Sequence, residues 1–238
     1  MRISDASSAL YLCAPVNALV EGLYDLPVRM SAVKEHGDFG LGTFSHLDGE
    51  MILIEGQTFR VDDIGAVTLV EEDVLTPFAC VTHYRPLSFD TIAQPMDYTE
   101  FGQFIERLLP SPNIFYAMRI DGYFSYVRTR SVPRQENYRP LAEVAKEQPT
   151  FEFQNLEGSL VGFYTPSFLS SLSVPGLHLH FLSSDRTRGG HLLECRPVRA
   201  TAGVQLISRL ELSLPIAFDY LTLDFKRDTE ADLGKAEK

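Results

Sequence analysis

The stretch Gly176-Leu177-His178-Leu179-His180, followed after a short loop by Gly189-Gly190-His191, holds three of the six histidines in the chain. His178 and His180 are two residues apart, so on an extended strand both imidazoles point to one face. The intervening Ser183-Ser184-Asp185-Arg186-Thr187-Arg188 is polar and turn-like, and the whole reads as a β-hairpin. Folding back about Asp185-Arg186 sets His180 directly across from His191. Cross-strand neighbours have Cβ atoms only ~4.5–5.5 Å apart, so three imidazoles converge on one point. Three protein ligands with an open fourth position form the donor set of a catalytic zinc site. A lone histidine on a strand is more often a packed residue; the third histidine at the opposing position is what points to a metal.

Working outward, 238 residues with 45 % hydrophobic and 22 % charged content describe a globular chain with enough apolar sequence for a real core. Only the last dozen residues have a disordered composition. The net charge of −11 argues against a nucleic-acid or anionic-membrane binder, which needs a basic face. Cys13, Cys80 and Cys195 are few, odd in number and in no C-x-x-C pair, so no disulfide framework is implied. Cys195 shares the parity of His191 and could approach the site, but a buried core thiol is the commoner role. The N-terminus has no secretory pattern, and no run is long enough to cross a membrane. These features point to a soluble, cytoplasmic protein without membrane or nucleic-acid partners.

Strand and turn signals dominate, with short helices between them. Helices are expected at Val16–Leu23, at Ser31–His36 capped by Ser31, and from Asp97 or Thr99 to Leu109. The glycines of Gly37-Asp38-Phe39-Gly40-Leu41-Gly42-Thr43 fit neither G-x-G-x-x-G nor a phosphate loop. They serve tight turns or close backbone approach. Strands are expected at Glu50–Glu55, Gln57–Val61, Ala66–Val70 and Phe78–Tyr84. Glu50 shares a strand face with Ile52 and Ile54. It is either a strand-end residue reaching solvent or a carboxylate against an apolar wall, where it could handle a proton.

Asp121-Gly122 reads as a two-residue hairpin turn between Ile114–Ile120 and Tyr123–Arg130, and Leu156-Glu157-Gly158 as another turn. Arg128 and Arg130 lie on one strand face with Arg134 nearby, and together they suggest an anion site. A short helix is expected at Leu141–Glu147, a long alternating strand at Gly203–Leu214 and a helix at Ile216–Leu223. A charged tail runs from Lys226 to Lys238. The fold class is α/β of the α+β type: two domains on mixed, mainly antiparallel sheets with short helices. Residues 1–135 form an N-terminal sheet domain and 136–225 a β-rich domain with the histidines, leaving the tail at 226–238.

Taken together, His36-Gly37-Asp38-Phe39-Gly40-Leu41-Gly42-Thr43-Phe44, Leu47-Asp48-Gly49-Glu50-Met51, Thr129-Arg130-Ser131-Val132-Pro133-Arg134-Gln135 and Gly189-Gly190-His191-Leu192-Leu193 resemble the α-acetolactate decarboxylase family. The blocks run in the family's order from about Leu19 to Leu214. The resemblance implies a zinc-dependent lyase, a homodimer, that converts 2-acetolactate to acetoin and carbon dioxide. It implies His178, His180 and His191 as zinc ligands, Arg130 as the active-site arginine, and Glu50 as one active-site carboxylate. Glu237, in a tail folded over the pocket, matches the second carboxylate by position only, and Thr43 lines the substrate pocket. The expected chemistry is chelation of the keto and hydroxyl oxygens by the metal, followed by protonation of the enediolate from one face.

Three rivals stand beside it, one of them a zinc hydrolase using metal-bound hydroxide on the same three histidines. Cupins also use H-x-H and a later histidine but add a glutamate, where this chain offers Asp185. The plant and prokaryote conserved (PPC) domain, a non-enzymatic binding module, has a similar histidine motif but is much shorter. Imidazole ligands also suit copper, iron or nickel, so another divalent transition metal fits the same donors.

Overall fold

A computed structural model describes residues 9–236. In chain order, β1 (Leu10–Leu12), α1 (Val16–Val20), β2 (Val28–Arg29) and α2 (Met30–Glu35) precede a run of strands. These are β3 (Phe39–Thr43), β4 (Glu50–Ile54), β5 (Gln57–Val61), β6 (Val67–Leu69), β7 (Leu75–Thr76), β8 (Phe78–Thr82) and β9 (Ser88–Ile92). Then come α3 (Tyr98–Leu108), β10 (Phe115–Arg130), α4 (Leu141–Val144), β11 (Thr150–Thr165), β12 (Gly176–Ser183) and β13 (Gly189–Ile207). The chain closes with β14 (Leu210–Leu212), α5 (Phe218–Thr222) and α6 (Thr229–Ala236). The fold is α+β, as expected.

Seven strands form one sheet in the order β14-β1-β8-β3-β4-β5-β6, and five form a second in the order β10-β11-β12-β13-β9. β10 also pairs with β13, so the four long strands of the second sheet close on themselves. Sheet membership crosses residue 135 in both directions: β9 and β10 belong to the second sheet, and β14 returns to the first.

Alternation along each strand builds the layers. Ile52 and Ile54 face a core shared with Phe115, Val161, Phe163 and Leu182 of the second sheet. Met51 and Leu53 face the other way, toward Met30 and Val33 of α2. On β12, Leu182 joins the shared core, whereas Leu179 and Phe181 pack with Phe101, Phe104 and Ile105 of α3. The even-numbered face of β12 therefore looks at the even-numbered face of β4. Helix α3 starts where expected, with Asp97 and Glu100 forming a reciprocal capping box.

Several local expectations are corrected. Asp121-Gly122 and Leu156-Glu157-Gly158 are not turns; they lie inside 16-residue strands, and Gly122 pairs with Gly158. A Cβ at Gly122 would sit 2.3 Å from the Arg199 carbonyl oxygen. Its glycine serves close strand approach rather than a turn. The strand expected at Gly203–Leu214 is the end of the 19-residue β13 plus the separate β14. Ser31 does not cap α2, which starts at Met30 without a side-chain cap. Helix α1 stops at Val20, two residues before Gly22 at φ +95°. Residues of the tail that looked disordered form α6, anchored by the buried Leu233 in the cluster that holds Val16, Leu19 and Leu141.

Candidate active site

The hairpin register is the expected one. His180 pairs with His191, and His191 pairs on its other side with Arg130. Three neighbouring strands thus place Arg130, His191 and His180 in one row across the sheet, and His178 lies two residues along β12 on the same face. Gly190 makes this crossing feasible: its φ is +126°, and a Cβ there would lie 2.5 Å from the Arg130 carbonyl oxygen.

Glu50 arrives from the opposite sheet on the face of Ile52 and Ile54. Of its two sequence readings, the walled carboxylate is the one observed: it is 6 % exposed. Its Oε1 accepts from Arg130 Nη1 at 3.0 Å, and Arg130 is itself 5 % exposed. The three imidazoles, Glu50, Arg130 and Thr43 line one pocket between the sheets. Val16, Leu19, Leu47, Phe78, Val132, Leu141 and Val174 supply its apolar wall.

One ligand atom from each of His178, His180 and His191 lies within 4.8 Å of the others. His180 is fixed in orientation by a 2.8 Å contact of Nδ1 with the Met51 carbonyl oxygen. A carbonyl only accepts, so Nδ1 carries the hydrogen and Nε2 keeps its lone pair. That Nε2 is buried, hydrogen-bonds to no described residue and lies 3.5 Å from Glu50 Oε2. An imidazole lone pair facing a carboxylate oxygen calls for a cation, so the residues fit a metal ion.

Protonation does not supply that cation. Burial, with the positive charge of Arg130 adding to it, holds His178 down at about 3. Burial also drives His180 well below the ordinary range, helped by His178 and Arg130 and opposed by the Met51 bond. Neutral imidazoles are the form that binds a metal.

The structure gathers the expected residues unequally. Arg128 and Arg134 do not join Arg130. Arg128 lies 3.9 Å from Glu194, and Arg134 pairs with Glu136 and Asp48. The register between β10 and β13 shifts between Arg128 and Thr129, leaving Leu193 of β13 unopposed. Thr43 lines the pocket, but its hydroxyl donates to the Gly49 carbonyl at 2.7 Å, bracing the turn that delivers Glu50. Cys195 is buried in the cluster beneath α3 and does not line the pocket. Glu237 lies outside the described residues. Gln148 lines the pocket without having been singled out in the sequence, where it sits in no pattern with a recognisable spacing.

This arrangement defines a tri-histidine site able to hold a metal, with a buried arginine–carboxylate pair beside it, at the seam of two sheets. The family model described as alpha-acetolactate decarboxylase matches residues 10–227. The alpha-acetolactate decarboxylase of Methanosarcina mazei is 39 % identical over 236 residues, covering 99 % of this chain and 82 % of its own length. That of Bacillus licheniformis is 38 % identical over 230 residues, 96 % of this chain and 91 % of its own. The crystal structure of alpha-acetolactate decarboxylase from Bacillus subtilis strain 168 superposes with a TM-score of 0.94 at 35 % identity, covering 97 % of this chain and 99 % of that one. The chain belongs to the alpha-acetolactate decarboxylase family, a family of carboxy-lyases.

Proposed function

We propose that this chain decarboxylates 2-acetolactate to acetoin and carbon dioxide with zinc held by His178, His180 and His191. The observation that carries the reading is the oriented His180 Nε2, buried without a donor and facing the Arg130-paired Glu50. Zinc on three imidazoles, when bound, supplies a Lewis acid for the keto and neighbouring hydroxyl oxygens of such a substrate. Other divalent transition metals suit the same donors.

The remaining work falls to the chain. Arg130 orients the substrate carboxylate by its fixed positive charge. The apolar wall keeps water from the carbon that loses CO2. That loss leaves an electron pair in the substrate's own ketone system, so no thiamine or pyridoxal is needed. Glu50, Glu237 or both hold the proton that this carbon, C2, then takes from one face, giving one acetoin enantiomer. Support for Glu237 is the docking of α6, which ends one residue before it, against the pocket-wall elements α1 and α4. Thr43 contributes to the substrate wall and to the placement of Glu50.

We also propose a homodimer in the cytoplasm. Helix α5 is apolar on two faces. Ala217, Tyr220 and Leu223 pack on the small cluster of α1, while Ile216, Phe218 and Leu221 are 94 %, 78 % and 67 % exposed. A face of this kind beside the edge strand β14 supports coverage by a second copy. Among the described residues no helix is long and apolar enough to cross a membrane. The three buried free thiols suit a reducing compartment.

The test combines metal analysis with incubation on racemic 2-acetolactate. The expected result is about one metal per chain and equal amounts of CO2 and a single acetoin enantiomer. Undiminished turnover after complete metal removal refutes the scheme.

A further inference from the structure

We infer that Gln148 is the second side chain, with Arg130, that grips the substrate carboxylate, and that it selects acids over neutral ketols. The inference rests on the decarboxylase reading above and names a substrate contact within it.

Three observations lead there. First, Gln148 lines the same pocket as the histidines, Glu50 and Arg130. Second, its backbone is tied to the arginine strand: Arg130 pairs with Thr150, and Ser131 N–H donates to the Pro149 carbonyl at 3.2 Å. These two links hold Gln148 next to the position of Arg130. Third, the other polar side chains of the pocket are engaged. Thr43 donates to Gly49, His180 to Met51, His178 contacts His191, and Arg130 donates to Glu50. The carboxamide of Gln148 hydrogen-bonds to no described residue.

The chemistry then selects the ligand. An ionised carboxylate accepts at about four lone-pair sites and has no hydrogen to give. In a pocket with a large apolar wall those sites must be met by donors, because leaving them unmet is costly. The planar fork of Arg130 meets at most two of those sites side by side, so the remaining sites call for a further donor. A carboxamide offers two N–H donors without adding charge beside a buried guanidinium. Its NH2 end therefore faces the substrate carboxylate, and its oxygen faces away. A neutral ketol lacks the carboxylate and gains nothing from this contact, which makes Gln148 a specificity residue and a means of releasing product.

The experiment uses zinc-loaded wild type, Gln148→Leu and Gln148→Glu, with two probes that cannot decarboxylate. One is 2-hydroxy-2-methylpropanoate, which has the carboxylate and hydroxyl but no ketone. The other is 3-hydroxy-3-methylbutan-2-one, which has the hydroxyl and ketone but no carboxylate. Calorimetry gives Kd for each. Losing one hydrogen bond to a charged group weakens the acid about 10-fold or more in Gln148→Leu, while the ketol stays within about 2-fold. Gln148→Glu weakens the acid further by repulsion. On 2-acetolactate, Gln148→Leu raises KM with kcat largely kept. Equal weakening of acid and ketol, or an unchanged acid Kd, overturns the assignment. Wild type that binds the acid, loses that binding selectively in Gln148→Leu, yet releases no CO2 from 2-acetolactate overturns the decarboxylase reading and leaves the Gln148 assignment standing. Wild type that does not bind the acid overturns both.

Discussion

Lowering the pH should destabilise the metal-free protein through His178, and the size of the effect can be worked out. The unfolded imidazole titrates near 6.5, and burial beside Arg130 holds the folded one at about 3. The folded value is depressed, so between these limits the unfolded chain binds one proton more than the folded chain. Stability from this group is fully present above pH 6.5 and is lost as pH falls toward 3. Lowering the pH from 7.5 to 5.0 protonates the unfolded imidazole almost completely and the folded one hardly at all, at a cost of about 2 kcal/mol. His180 is shifted in the same direction and adds to the loss. Urea unfolding of chelator-treated wild type and His178→Gln at both pH values isolates the term. The wild type should lose about 2 kcal/mol more than the variant. Equal losses would show that His178 is not held neutral by the fold and would refute the account of the site's electrostatics.

Other outcomes follow from the same geometry. His180→Ala should abolish zinc binding, measured by elemental analysis, and acetoin formation together, with circular dichroism unchanged; turnover by a metal-free variant would sink the ligand assignment. Leu233→Ala removes a buried side chain of α6 from the shared core. At about 2–5 kcal/mol for a buried leucine, it should undock the helix and speed tryptic cleavage at Lys226 or Arg227 more than 10-fold; an unchanged cleavage rate would contradict the docking. Ile216→Lys combined with Phe218→Lys should convert the proposed dimer to monomer in light scattering without lowering thermal stability of the monomer, because both side chains are already exposed.

How much was legible in the sequence depended on the distance over which each cause acts. The histidine hairpin was readable because its determinants are local: residue parity on a strand, a polar turn and two glycines before His191. Helix α3 was readable for the same reason, since its capping box lies within four residues. Asp121-Gly122 and Gly158 misled because a glycine needed for a turn and one needed for strand crossing look alike in sequence. The strand-length register, set by pairing with β13, separates them. The arginine trio failed because carboxylates distant in the chain, Glu194 beside Arg128 and Asp48 beside Arg134, take up two of the three. The tail looked disordered because its apolar anchor, Leu233, gains its stability from residues more than 80 positions away in the chain, such as Leu141.

The sequence by itself determined the donor set and its spacing: three imidazoles converging from two strands, with a family resemblance that extends along most of the chain. Only the tertiary structure decided what those imidazoles face. Glu50 could have reached solvent from its strand end; packing of the two sheets on their isoleucine-bearing face walled it in and paired it with Arg130. The same packing buried His180 and half-buried His178, holding both below the ordinary imidazole range, and brought Gln148 into the pocket with Arg130. Burial and opposing charge depend on which surfaces meet, and that is a property of the packed sheets rather than of any one stretch of the chain.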